Sequence, residues 1–193
     1  MSKGKTTTSG MDWNTMIGLT DRLKRDGLDR DYLLITMGCY FGLRISDLLS
    51  VKWSDVLEKE ELVIIESKTK KRRVITINPR VKEVIVHCYT NIQDNNSHWR
   101  GEYVLANQWG GKISVSYINR RLKVIFKKYN VKVQNPSSHT LRKSFGRRIW
   151  EMDNQSERSL IYLSEIFNHS STTVTRRYIG ITEEKIADVY MNL

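Results

Sequence analysis

Apolar residues recur at intervals of three and four over most of the chain, which is the spacing of amphipathic helices. In the first half this pattern predicts helices over residues 13–25 and about 31–40, followed by Gly42, a residue type that often ends a helix. A third helix is predicted to begin at Arg44. Asp47 lies three residues later on the same helical face, so we expect these two side chains to pair.

Two short runs of β-branched residues interrupt the helical pattern. Residues 62–65 and 74–77 are typical of strands. The basic segment 68–73 between them is predicted to be the tip of a β-hairpin, and residues 103–105 are expected to add a short strand to the same sheet. The predicted fold class is therefore mainly α with a small antiparallel β-sheet, an α+β arrangement.

The second half of the chain returns to helical spacing. A helix is expected after the break at Asn135-Pro136, with Ser138 as its N-cap and His139 at its start, which places His139 and Arg142 on one face. Other helices are predicted over residues 81–92, 115–129, 159–167, 172–179 and 182–193. The last of these has an apolar stripe formed by Ile186, Val189, Tyr190 and Leu193. This stripe is expected either to pack on the protein's own core or to dock on a neighbouring protomer.

Length and charge restrict the possible functions. The 193 residues fit one domain, predicted over residues 11–193, after a polar and flexible lead-in over residues 1–10. Lys and Arg number 32 against 21 Asp and Glu, and the resulting net charge of +11 favours a polyanionic partner, with nucleic acid as the first candidate. An acidic membrane surface is the alternative, but no apolar run approaches the ~20 residues that a bilayer crossing needs.

The location is expected to be the cytoplasm. Residues 1–10 are small, polar and basic, and they lack the apolar centre of a signal peptide. Cys39 and Cys88 are far apart, and each lies in an apolar helical setting, so we expect buried free thiols in a reducing compartment. Neither cysteine belongs to a CxxC pair.

Several cationic residues suit the chemistry of attack on a phosphodiester. This reaction passes through a five-coordinate phosphorus whose non-bridging oxygens carry negative charge, and guanidinium groups match those oxygens better than ammonium groups do. Arg44 and Arg142, from distant parts of the chain, are candidates for such a clamp. The leaving deoxyribose oxygen needs a proton, and Lys68 at the hairpin tip is suited to donate it.

The reaction also needs a nucleophile. Tyrosine, with an ordinary pKa of ~10, attacks at neutral pH only when a base or a cationic site favours its phenolate. Tyr178 follows His169 by nine residues, His139 is the candidate to accept its proton, and His169 is the candidate to hydrogen-bond a phosphate oxygen. A phosphotyrosyl ester retains the energy of the broken bond, so we expect neither ATP nor a metal nor any other cofactor.

In their order and spacing, these residues resemble the catalytic domain of the tyrosine recombinases, or phage-type integrases. The resemblance covers about residues 13–193. The segments that carry it are Gly42-Leu43-Arg44-Ile45-Ser46-Asp47-Leu48, the hairpin Lys68, His139-x-x-Arg142, and residues 163–171 leading to Tyr178.

This resemblance implies a site-specific DNA recombinase or integrase from a bacterium, phage or mobile element. Such an enzyme cuts and rejoins DNA strands without a metal, through a 3′-phosphotyrosyl intermediate. The roles implied are phosphate binding by Arg44 and Arg142, general acid catalysis by Lys68, proton acceptance or relay by His139, phosphate ligation by His169 and nucleophilic attack by Tyr178. The partners implied are double-stranded DNA and further copies of the chain, as a tetramer on DNA, with the C-terminal helix as the candidate link between copies.

Two features depart from the family pattern. Family members commonly have glycine where this chain has Asn168, a change that alters a helix-turn position but removes no catalytic group. They also usually carry a separate N-terminal helical DNA-binding domain, whereas only 43 residues precede Arg44. We therefore expect no separate domain of that kind in this chain, which is then either an excised catalytic domain or a short stand-alone recombinase.

Other functions are compatible with parts of the same pattern. A type IB topoisomerase shares the tyrosine chemistry, and a DNA-binding module would share the charge without catalysis. Asp29 and Asp31 are the candidate Mg²⁺ ligands of a metal-dependent nuclease, although acids in this position also cap and start helices. The residues expected to contact the DNA backbone, or else to be simply solvated, are Lys70, Lys71, Arg72, Arg73, Arg176 and Arg177.

Overall fold

The computed structural model describes residues 7–94, 101–181 and 191. Its helices are α1 (Trp13–Arg25), α2 (Asp29–Phe41), α3 (Ile45–Leu48), α4 (Pro79–Asp94), α5 (Val115–Lys128), α6 (Ser138–Met152), α7 (Glu157–Phe167) and α8 (Thr172–Ile179). Two strands, β1 (Glu61–Ile65) and β2 (Arg72–Thr76), form the sheet. Across the described ranges, no helix has the length and apolar character that a membrane span requires. The predicted helix over residues 182–193 and its apolar stripe lie outside the described residues.

Helix α2 lies at the centre of the core. Almost all of its residues are buried, and it packs against α1, α4 and α6. A helix that is covered on all sides needs apolar residues around its whole circumference, which explains the near-continuous apolar sequence from Leu33 to Cys39. The helix begins at Asp29, two residues before the predicted start, because Asp29 and Asp31 occupy its first turn, where acids are favourable.

Gly42 ends α2 and sets the direction of the chain towards Arg44. Its φ of 56° lies in the left-handed region, and a Cβ atom there would be 2.4 Å from the Phe145 ring of α6. Glycine is therefore needed at this position both for its backbone conformation and for the close approach of α6. Arg44 follows as the N-cap of α3.

The predicted hairpin forms, with Val63 opposite Val74 in an antiparallel pair, but Arg72 and Arg73, which were predicted to lie in its tip, belong to β2. The prediction of an added strand over residues 103–105 is wrong. Tyr103 instead forms an isolated antiparallel bridge with Lys52, and the sheet has two strands. Residues 51–53 lead into a short 3₁₀ helix (Trp53–Asp55) and pair their backbone groups with residues 102–104, so residues 103–105 pair there and not with the hairpin.

Helices α6, α7 and α8 share a second, smaller core. Gly146 of α6 allows the close approach, since a Cβ atom there would lie 2.8 Å from Ile179 and 2.9 Å from Phe167. The N-cap of α6 is Ser137, not the predicted Ser138, because the Ser137 side chain accepts from the backbone N–H of His139 while the Ser138 N–H donates to the Asn119 side chain.

Residues 8–11, at the end of the predicted lead-in, are attached to α6, and residues 1–6 of that lead-in lie outside the described residues. The Thr8 carbonyl accepts a hydrogen bond of 2.7 Å from Lys143 Nζ, and the Met11 N–H donates to Ser144 Oγ at 2.7 Å. Gly10 lies against the Lys143 backbone so closely that a Cβ atom would be 3.2 Å from it. This segment therefore covers one side of the helix that presents His139 and Arg142.

Candidate active site

One pocket of about 460 Å³ collects all six candidate catalytic residues. Residues from the α2–α3 junction, the hairpin turn, α6, the end of α7 and α8 form its walls. The candidates that line it are Arg44, Lys68, His139, Arg142, His169 and Tyr178. The structure thus brings together residues that span 135 positions of the chain, from 44 to 178.

The two arginines are fixed by backbone carbonyls. Arg142 is buried, and it donates to the Gly42 carbonyl at 2.6 Å and to the Phe167 carbonyl at 3.2 Å. Arg44 also donates to the Phe167 carbonyl, at 3.3 Å. Burial lowers the pKa of Arg142 to about 10, which leaves it charged at neutral pH. Two guanidinium groups, one from the N-cap of α3 and one from α6, are therefore oriented by one acceptor at the end of α7.

The predicted pairing of Arg44 with Asp47 is wrong. Arg44 Nη1 pairs with Glu66 at 2.8 Å, whereas an Asp47 oxygen accepts from the Ser67 N–H at 2.9 Å and from its hydroxyl at 2.5 Å. The reason is tertiary: the residues after β1 return to α3 and offer each side chain a better partner than the other does. Asp47 consequently ties the hairpin turn to α3.

Lys68 lies in the turn between β1 and β2, exposed to solvent at the edge of the pocket. Two further side-chain hydrogen bonds, one within the hairpin and one to the end of α7, hold the turn in place. Thr69 Oγ1 donates to Glu66 at 2.7 Å, and Lys71 Nζ donates to the Asn168 side chain at 2.7 Å. Asn168 adopts the left-handed conformation at φ 52°, which asparagine tolerates better than most residues.

Tyr178 is packed among aromatic and cationic groups. Its ring makes edge contacts with Phe167 and His169 at centroid distances of 5.4 and 5.1 Å. The hydroxyl lies 3.4 Å from Nδ1 of His139, and Lys143 Nζ lies 5.1 Å from the ring centroid. The phenol is therefore within hydrogen-bonding reach of His139, and its ring lies beside the buried Lys143.

The ionisation states in the pocket follow from burial and from the arginines. Burial raises the pKa of Tyr178, with Arg142 and Arg44 acting in the opposite direction. Burial also lowers the pKa of His139, assisted by Lys143 and Arg142, and lowers the pKa of His169, assisted by Arg142 and Arg44. At neutral pH the site thus holds a neutral phenol next to two neutral histidines, each of which can accept a proton.

The six expected DNA contacts separate into two groups. Arg73 points inwards, where it donates to the Phe41 carbonyl at 2.9 Å and faces Glu66 at 3.6 Å, and Arg176 forms an ion pair with Glu157 of α7. These two guanidinium groups are engaged within the protein. The side chains of the other four, Lys70, Lys71, Arg72 and Arg177, are exposed, and Lys71 is also hydrogen-bonded to Asn168.

Sequence reasoning missed two parts of the site, Glu66 and the Phe167 carbonyl. Glu66 did leave a signal, because in the alternation of β1 it falls at an inward position, where an apolar residue is the norm. The carbonyl left none, since a backbone acceptor is not visible in a residue pattern.

Asp29 and Asp31 are occupied by protein partners. Arg121 binds Asp31 with both its Nε and Nη2 groups, and Asn91 donates to Asp29. Within the residues that the structure describes, no three His, Cys, Asp or Glu side chains are grouped to hold a metal ion. The two acids therefore serve the start of α2 and its contacts.

A model of the phage integrase family matches residues 15–185. The chain belongs to the phage integrase family. Within the family, the probable integrase/recombinase YoeC of Bacillus subtilis is 33% identical over 161 residues, which are 83% of each chain. The tyrosine recombinase XerH of Campylobacter jejuni is 24% identical over 159 residues, 81% of this chain but 43% of the relative. The chain thus spans most of one relative and under half of the other.

Solved structures of the family share this fold. The XerH site-specific recombinase bound to a palindromic difH substrate, in a post-cleavage complex, superposes with a TM-score of 0.73 at 17% identity, covering 97% of this chain and 53% of that one. The XerA recombinase superposes with a TM-score of 0.69, also at 17% identity, covering 100% of this chain and 65% of that one. The predicted family and the predicted fold class are both confirmed.

Proposed function

We propose that this chain is the catalytic domain, over residues 11–193, of a site-specific DNA recombinase or integrase. The observation that carries the proposal is the convergence of two oriented guanidinium groups, a partly buried tyrosine and an exposed lysine on one pocket. A DNA-binding module without catalysis has no use for a phenol held beside a base and two arginines. The family relationship supports the same activity.

In the proposed reaction, Tyr178 Oη attacks the phosphorus of a DNA strand. Its proton passes to His139, whose Nδ1 is 3.4 Å away. Arg44 and Arg142 take up the charge that develops on the non-bridging oxygens, and His169 adds a hydrogen bond. Lys68 donates a proton to the 5′ oxygen as the bond from phosphorus to that oxygen breaks. The products are a 3′-phosphotyrosyl ester and a free 5′ hydroxyl, and the reverse sequence with another 5′ hydroxyl rejoins strands.

The resting site has to be activated by its substrate. Burial keeps Tyr178 in its neutral form, so the attack requires proton transfer at the moment of reaction. A bound phosphate would draw the guanidinium groups and the histidines into contact with the reacting atoms. This dependence limits cleavage to a correctly bound DNA strand.

The partner we propose is double-stranded DNA, approached from the face that carries the pocket and the exposed basic residues of the hairpin. XerH and a lambda integrase dimer, both structural neighbours, were solved on DNA sites. Exchange between two duplexes needs four active sites, so we propose a homotetramer on DNA. The cytoplasm, where bacterial and phage DNA is exchanged, is the proposed location.

The test is formation of a covalent adduct. The protein is incubated with nicked suicide duplexes that carry inverted repeats from the DNA flanking its gene, and the products are separated on a denaturing gel. A slower-migrating protein–DNA adduct is expected, unchanged by EDTA and absent from Tyr178→Phe. Tyr162→Phe, which removes an exposed hydroxyl from α7, is the matched control.

Three results would contradict the proposal in different ways. An adduct that survives Tyr178→Phe would exclude this nucleophile. A strong loss in EDTA would favour the metal-dependent alternative. Relaxation of supercoiled DNA without strand exchange between two duplexes would indicate a type IB topoisomerase.

A further inference from the structure

Glu66 is a charged residue in a position that the strand pattern reserves for an apolar one. It follows β1 directly, continues the inward alternation of that strand, and is 4% exposed. A buried carboxylate is costly unless it is paired and hydrogen-bonded, so its presence requires partners. One of those partners, Arg44, lines the pocket.

The carboxylate of Glu66 joins three segments of the active site. One oxygen accepts from Arg44 Nη1 at 2.8 Å and from Thr69 Oγ1 at 2.7 Å, and the other lies 3.6 Å from Arg73 Nη1. Burial opposes ionisation of Glu66, but hydrogen bonds from Thr69 and Arg44 outweigh it and lower the pKa of the carboxyl group. Glu66 is therefore an anion at neutral pH.

For Arg44, this contact fixes orientation. A guanidinium group has five N–H donors in one plane. Glu66 holds Nη1 and the Phe167 carbonyl holds Nη2, so the plane of the group is set while part of it still lines the pocket. With either contact missing, the long side chain would be free to rotate away from a bound phosphate.

The Glu66 carboxylate also affects the position of Lys68, through the adjacent residue Thr69. Thr69 is anchored to Glu66 by its hydroxyl, and the backbone of the turn closes on Glu66 as well, through Lys70 N–H to the Glu66 carbonyl at 2.9 Å and Glu66 N–H to the Lys71 carbonyl at 3.0 Å. The turn that carries Lys68 is thus fastened to the residue that orients Arg44.

We propose that Glu66 is a positioning residue for DNA cleavage, which sets the phosphate-binding Arg44 and the proton-donating Lys68 in one fixed relationship. The proposal rests on the proposed function. It also predicts that Glu66 weakens ground-state binding of a phosphate, because its negative charge opposes the field of the arginines, while it accelerates the chemical step.

The test separates binding from chemistry in Glu66→Gln, Thr69→Val and the control Glu60→Gln. Glu60 is the exposed acid next to the same strand, paired with Lys82, so its substitution removes one charge from the hairpin without touching the pocket. Each full-length variant is measured for DNA affinity and for single-turnover adduct formation at saturating protein. The DNA is the nicked duplex, with either an ordinary 5′ oxygen or a 5′ sulfur at the cleaved bond, since a thiolate leaves without needing an acid.

We expect Glu66→Gln to slow adduct formation on the ordinary duplex by roughly 10- to 100-fold, with affinity equal or tighter. Thr69→Val should slow it less, and the sulfur duplex should restore its rate, because only the placement of Lys68 is disturbed. The sulfur duplex should restore only part of the rate of Glu66→Gln, because Arg44 remains misplaced in this variant. Glu60→Gln should match the unchanged protein.

The inference is overturned if Glu66→Gln reacts at the unchanged rate, or if its adduct formation and DNA affinity fall together in proportion to lost thermal stability. It is also overturned if the duplex with a 5′ sulfur fails to restore the rate of adduct formation in Thr69→Val. Failure of the proposed function is distinguishable, because in that case the unchanged protein itself forms no adduct.

Discussion

Arg44 and Arg142 donate hydrogen bonds to the same atom, the carbonyl oxygen of Phe167, at 3.3 and 3.2 Å. The atom belongs to the last residue of α7, where helical carbonyls lack partners within the helix. Two like charges placed side by side repel each other, and an acceptor between them offsets part of that repulsion. The end of α7 thereby supplies the geometry that a two-arginine phosphate clamp requires.

Arg142→Lys is expected to lower the single-turnover rate of adduct formation by about 10²–10³-fold, because an ammonium group cannot reach the Gly42 and Phe167 carbonyls and a phosphate at once. The measurement is the gel assay on the nicked duplex, beside a thermal melt. Arg147→Lys, at an exposed arginine of the same helix that pairs with Glu151, should leave the rate within about twofold. A similar loss in both variants would contradict the assigned role.

Lys68→Ala is expected to lower the single-turnover rate of cleavage of an ordinary DNA strand by about 10²–10⁴-fold. On a strand with a 5′-sulfur leaving group, which needs no acid, the rate should recover. Lys59→Ala serves as the control, since Lys59 is exposed just before β1, outside the pocket lining and outside the expected DNA contacts. The two rates are compared by single-turnover kinetics. Lys68→Ala that stays slow on the sulfur strand would rule out a proton-donating role.

The rate of cleavage should fall on the acid side only below pH 6.5, the ordinary pKa of histidine. The pKa values of His139 and His169 are both lowered from 6.5, mainly by burial, so these rings stay neutral as the pH falls to 6.5 and become protonated only at lower pH. The rate of adduct formation should therefore hold down to about pH 6.5 and decline below it. Single-turnover rates at constant ionic strength test this, and a decline centred above pH 7 would contradict it.

Gly42→Ala should lower the free energy of unfolding more than Gly27→Ala does. Both positions have left-handed backbone, with φ of 56° and 66°, and each substitution should cost about 1 kcal/mol or more in backbone strain. Only at Gly42 does the new methyl group also collide with a neighbour, at 2.4 Å from the Phe145 ring, whereas Gly27 faces open space. Urea denaturation of the two variants measures the difference, and equal losses would show that Phe145 yields without cost.

Periodicity and motif spacing predict the helices that the structure describes, the hairpin and the six candidate residues that line the pocket. The hairpin, α1 and α8 lie where the pattern places them, because each has a clear period and a clear boundary. The partner of Arg44 could not be predicted from the sequence. Helical spacing suggests Asp47, whereas the fold brings in Glu66 from 22 residues away. The strand prediction for residues 103–105 was wrong for a similar reason. A short β-branched sequence does not indicate which segment of the chain it will pair with.

Side-chain substitution cannot test the contribution of the acceptor at Phe167, because this acceptor is a backbone oxygen. Its oxygen is contributed by every amino acid alike, so a library that varies each position in turn would change the Phe167 ring while leaving the oxygen in place. Exchange of the following amide for an ester, by incorporation of an α-hydroxy acid at position 168, weakens this oxygen as an acceptor. Part of the machinery that orients the two arginines is encoded in where α7 stops, and so in the length of a helix.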